Sequence, residues 1–222
     1  MLKKIFFWIV TTLLIGVSLG NQMTFILPMA LVTYAFRERL TNFLNRFSLP
    51  VAFIGGGLFF GLLTEVFAIW SSLKLPLKER ALLSPYPTVD LILGFFWYGL
   101  FVLVWYTILK RYHYSKKEIL LLCGAYGLIF EQHAKFFFML FGPGFIVSLF
   151  VMFVYAVFPM LAYMLTQQRF SSSQRKAPFY IRYPVVLIGL ALQAVVWKIA
   201  GVFYYPILQK LGYLTYLGFP PK

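Results

Sequence analysis

The chain has 222 residues, of which 61% are hydrophobic, 21% aromatic and only 12% charged, with a mean hydropathy of +0.82. Soluble domains carry about a quarter charged residues, so this composition excludes an ordinary soluble fold and points to an integral membrane protein. The net charge of +14 reads as topology-setting loops and not as a nucleic-acid surface, because the basic residues lie between apolar runs.

At about 20 residues per span, the length accommodates six or seven crossings in a single integral membrane domain over residues 1–222. The fold class expected is all-α: a polytopic transmembrane helix bundle of about seven spans. Segment one covers 5–20. Lys3-Lys4, the apolar run and Ser18-Leu19-Gly20 also mimic a secretory leader; its removal would leave six spans, and an uncleaved first span is the preferred reading. Asn21-Gln22 makes a polar break before segment two, 23–36, which is short and carries Pro28. Segments three to seven cover 51–73, 88–109, 118–140, 145–166 and 184–204, with Gly142-Pro143-Gly144 as a tight turn between five and six. The Tyr- and Leu-rich tail after Pro206 reads as interfacial.

With the N-terminus inside, thirteen basic residues fall in inner loops and five outside. This is the positive-inside bias, which predicts a cytoplasmic N-terminus; a prokaryotic plasma (inner) membrane is the simplest location expected. If segments one and two formed one broken helix, only the N-terminus would change side.

Segments three and five share a phrase. One reads Gly61-Leu62-Leu63-Thr64-Glu65, the other Gly127-Leu128-Ile129-Phe130-Glu131. Each sets a carboxyl deep in an apolar run, at a cost of about 2.5–3.5 kcal/mol even on lenient insertion scales. At 1.5 Å per residue both acids lie roughly 12–14 Å below the outer boundary. Asp90, His133 and Lys198 fall nearer the same surface. Gly57, Gly61 and Glu65 share a helix face, as do Gly124, Gly127, Glu131 and Lys135, and as do Asp90 and Gly94. Small residues let helices approach closely in lipid, so the acids are expected on packed faces. Segment seven carries a fainter echo, Gly189-Leu190-Ala191-Leu192-Gln193, consistent with repeated hairpins two–three, four–five and six–seven.

The expected site is therefore a polar pocket open to the outer leaflet. Glu65 and Glu131 are its catalytic candidates, and Asp90, His133, Lys135, Gln193 and Lys198 its lining. Each has a plainer alternative. Glu131 and Lys135 sit at i, i+4 and can neutralise one another. Lys198 can snorkel, Asp90 can cap its helix, and His133 can make a structural hydrogen bond. Glu65 has no basic residue in its own segment, so it needs a partner from another helix or a proton.

No zinc-protease, phosphate-loop or nucleophile-elbow motif occurs, and the lone cysteine, Cys123, allows no intrachain disulfide. No metal, cofactor or nucleic-acid partner is expected; the partners expected are the lipid bilayer and a lipid or small-molecule ligand. Two carboxyls at one depth can divide acid and base roles. The leading expectation is a membrane-embedded enzyme acting on a lipid or isoprenoid. The alternatives are a proton-coupled small-molecule transporter and a non-catalytic membrane scaffold subunit.

Overall fold

A computed structural model describes residues 2–76, 84, 86–131, 135–170 and 174–212, and the side chains among them except 2–4 and 131–135. Everything described is helix, turn or loop, apart from an isolated bridge between Tyr112 and Arg175. Nine α-helices are described: α1 (Leu2–Ser18), α2 (Ile26–Ala35), α3 (Arg37–Leu44), α4 (Leu49–Ser72), α5 (Pro87–Leu109), α6 (Lys116–Tyr126), α7 (Lys135–Met139), α8 (Phe145–Phe170) and α9 (Phe179–Lys210). A 3-10 turn, Gln22–Phe25, precedes α2, and a π-helical turn, Gly127–Glu131, follows α6.

The boundaries follow from local chemistry. Pro28 falls in the first turn of α2, where a missing N–H costs no helical bond. Pro50 and Pro87 likewise open α4 and α5. Ser115 caps α6 in a reciprocal box, its hydroxyl accepting from Glu118 N–H while the Glu118 carboxylate accepts from Ser115 N–H.

Among the described residues four helices, α4, α5, α8 and α9, are long and apolar enough to cross a membrane. α1 and α2 are apolar but shorter, and segment five is divided into α6, the π turn and α7. Seven uniform spans are therefore not what is seen. Segments one and two fold back on each other: Ser18 meets Thr24 near the turn (Oγ–Oγ1 2.9 Å), and Trp8 meets Phe36 further along (ring centroids 6.2 Å). They form an antiparallel pair, not one broken helix.

Glycines set the closest helix contacts. Along α4 and α5, Gly57 lies on Val102, Gly61 on Tyr98, and Gly94 on the Glu65 side chain. These four-residue steps in opposite directions define an antiparallel register. Gly124 lies on Met152 and Gly127 on Tyr155, which sets α6 and the π turn antiparallel to α8 in the same way. α4 also packs along α8, with Gly56 against Ala162. The close pairs are thus three–four, three–six and five–six, and the hairpin units suggested by the repeat are not seen as such. The core between them is aromatic, with Phe53, Phe101, Trp105, Tyr126, Phe158 and Tyr163 almost fully buried.

The basic loops gather at one end. Arg169 donates to the carbonyls of Leu44 and Phe47, and Arg182 donates to the carbonyl of His113. Arg175 N–H donates to Arg111 and His113 N–H to Arg175. The glycine contacts position the opposite, far end, where Glu65 and Asp90 lie.

Candidate functional site

Glu65 stands seven residues before the end of α4 and Asp90 three residues into α5. The antiparallel register brings these ends together. The Asp90 carboxyl lies close to Glu65, whose Cγ packs against Gly94 one turn further along α5. The Tyr98 hydroxyl donates to Glu65 Oε2 at 2.7 Å, and Asp90 Oδ1 accepts from Ser84 N–H at 2.9 Å. Asp90 is fully buried and Glu65 partly so.

This arrangement has a chemical consequence. A bond between two carboxyls requires a proton on one of them, since an ionised carboxylate only accepts. Two adjacent negative charges inside a protein cannot both persist. Among the described side chains, no basic group forms an ion pair with Glu65. Two carboxyls this close favour a proton on one of them wherever no cation stands beside them.

Glu65 and Tyr98 open onto a cavity of about 360 Å³ between α4, α5, α7 and α8. Thr64, Ser71 and Ser72 add polar groups along α4, while Trp97, Tyr155 and Phe158 form an aromatic floor and wall. Phe136 brings α7 to the same cavity. Leu75, exposed just beyond the end of α4, lines its mouth. Among the described residues no group of three His, Cys, Asp or Glu is placed to hold a metal.

The expected lining separates into three parts. Asp90 and Glu65 come together. Asp90 is no side-chain cap: Tyr86 occupies the cap position of α5, and Asp90 reaches back to Ser84 from inside the first turn. Gln193 is buried elsewhere, on the α6–α9 contact, where it accepts from the Tyr126 hydroxyl at 2.9 Å. Lys198 lies on an exposed face of α9, as a snorkelling lysine would. Neither Gln193 nor Lys198 lines the Glu65 cavity. The side chains of Glu131 and Lys135, and His133 altogether, fall outside the described residues.

The shared phrase nevertheless has a structural meaning. In each copy the glycine seats a tyrosine of a neighbouring helix: Gly61 seats Tyr98 of α5 and Gly127 seats Tyr155 of α8. Both tyrosines line one cavity. Tyr98 is the residue that sequence reasoning missed. Its signal was present, since Asp90, Gly94 and Tyr98 recur at i, i+4 and i+8 on one helix face.

Comparison with protein-family models, with curated proteins and with solved structures finds no match.

Proposed function

We propose that this multi-pass membrane protein is an enzyme that transfers protons to and from a lipid or isoprenoid entering from the leaflet at its far end. The observation that carries the reading is the Glu65 carboxyl, close to Asp90 and held by the Tyr98 hydroxyl at 2.7 Å, beside an aromatic cavity. The protonated partner donates to a double bond or leaving group of the substrate. The other carboxyl accepts a proton in return, so the pair is restored at the end of the cycle. Tyr98 fixes the Glu65 carboxyl through its hydroxyl. Glu131, carried on the π turn whose glycine seats Tyr155, is kept as a further candidate in the role of base. The positive-inside bias favours the basic end as cytoplasmic, in a prokaryotic plasma membrane.

A second reading, proton-coupled transport, is favoured by one observation: the π-helical turn Gly127–Glu131 in segment five. Irregular helices beside polar sites are a recurring transporter feature. Against it, both acids lie towards one end of their helices, whereas transporter sites usually lie near the midplane.

The deciding experiment compares lipids of cells lacking the protein with cells restored by wild type, Glu65→Gln, Asp90→Asn or Glu131→Gln. The enzymatic reading expects a lipid species that wild type restores and Glu65→Gln does not. Equal restoration by wild type and the Glu65 and Asp90 variants overturns it. Proton-driven uptake by wild-type vesicles with no lipid change selects the transport reading.

A further inference from the structure

A second cavity lies at the opposite end of the bundle and does not depend on the carboxyl pair. It measures about 470 Å³ and sits between α3, the start of α6 and the last turns of α8. Arg37 and Lys116 line it as cations, Asn42 and Gln167 as amides, and Glu38 as the one acid. The described residues give neither cation an ion-pair partner, since the only such pair among them is Arg182–Glu118. Two cations and neutral donors around a cavity of this size suit a phosphate group.

The level of the cavity is fixed by its surroundings. α3 is short, polar and without a buried residue. Tyr34, Phe43 and Phe47 around it are 50%, 53% and 42% exposed. Exposed aromatics beside basic side chains are characteristic of headgroup level. The Arg37 guanidinium lies over the Tyr34 ring at 4.9 Å, and Arg39 over Phe36 at 5.8 Å. Stacking of this kind holds a guanidinium in place while leaving its N–H groups available.

We propose that the cavity between α3, α6 and α8 binds the phosphate of a phospholipid headgroup from the leaflet at the basic end. Glu38 adds a selection rule. A carboxylate beside the phosphate position tolerates a headgroup only if it also presents a hydrogen-bond donor, as a glycerol hydroxyl or an ammonium does. Phosphatidylglycerol and phosphatidylethanolamine satisfy this, and phosphatidylcholine, which has no donor, does not. The same phosphate chemistry could be met by dissolved inorganic phosphate, so the experiment has two arms.

In the first arm, full-length protein is placed in phosphatidylcholine nanodiscs doped with phosphatidylglycerol, and retained lipid is counted by native mass spectrometry. Wild type is expected to retain phosphatidylglycerol, and Arg37→Gln/Lys116→Gln to lose that preference by about tenfold or more. Arg111→Gln, exposed and outside the cavity, should change nothing. Lys116→Gln alone, at an exposed position, keeps the test valid if the double variant fails to fold. In the second arm, inorganic phosphate is titrated into lipid-stripped protein. Binding that Lys116→Gln abolishes supports the site and assigns its phosphate to solution. Identical lipid retention by wild type and the Arg37/Lys116 variants, together with no phosphate binding, overturns the proposal.

Discussion

Two glutamates at opposite ends of the bundle differ in what surrounds them. At the basic end, Glu118 is fully engaged: Arg182 pairs with it at 2.9 Å, Tyr183 donates at 3.1 Å, and Ser115 N–H donates at 2.8 Å. Tyr114 closes the network by donating to the Arg182 carbonyl while its ring lies beneath the guanidinium. Burial pushes the Tyr114 phenol up, against the pull of the Arg182 cation. At the far end, Glu65 meets a second carboxyl and a tyrosine, without a cation among the described side chains. The first acid is neutralised and joins α9 to the α5–α6 loop. The second faces a cavity beside another carboxyl. A satisfied charge builds structure, whereas a cavity-facing carboxyl beside a second one is what the proposed proton transfer requires.

The contrast breaks most sharply at Glu65. Glu65→Gln keeps the shape of the side chain but removes the exchangeable proton. It is expected to lower activity by about 100-fold or more, while the melting temperature stays within a few degrees of wild type. A melting temperature that collapses with Glu65→Gln would make this acid as structural as Glu118. Tyr98→Phe should have a smaller effect on activity, about tenfold to 100-fold, the usual worth of one hydrogen bond to a charged group. Wild-type activity in Tyr98→Phe would remove the tyrosine from the site.

Packing at the far end can be tested separately. A Cβ at Gly61 would stand 2.6 Å from the Tyr98 ring, so Gly61→Ala should destabilise by about 1–3 kcal/mol through overpacking and also lower activity. Gly55→Ala, where nothing lies within 4 Å, should be neutral or stabilising by up to about 1 kcal/mol. Equal effects from the two substitutions in thermal melts would refute the glycine register.

At the basic end the signs reverse. Glu118→Gln should cost about 1–3 kcal/mol, because Arg182 is left short of its charged acceptor in a part-buried setting, with activity retained wherever the protein stays folded. Ser115→Ala removes one half of the capping box and should cost about 1 kcal/mol. Activity loss without stability loss in Glu118→Gln would move function to this end.

The neighbourhoods of these residues were unequally legible. Gly61 and Glu65 share a face by helical arithmetic alone, and the close approach of α4 to α5 follows from the glycines. The contact of Glu65 with Asp90 does not follow. It depends on α4 packing antiparallel to α5 in one register, which the far larger apolar surfaces of both helices decide. Lys198 and Gln193 were expected to line the same pocket as the acids, yet α9 turns one to an exposed face and the other towards Tyr126. Depth along a helix is a one-dimensional quantity, and rotation about the axis against a neighbour is not contained in it.

By itself the sequence determined the membrane character, the all-α class, the gathering of basic residues into alternate loops and the glycine faces. These depend on composition and on the fixed 3.6-residue period, both local. Tertiary structure alone decided that segment five is interrupted by a π turn, that α4 pairs with α5 and α6 with α8, and that Glu65 lies against Asp90 under Tyr98. Those outcomes rest on side chains far apart in the chain competing for the same interhelical space, and no single segment carries that information.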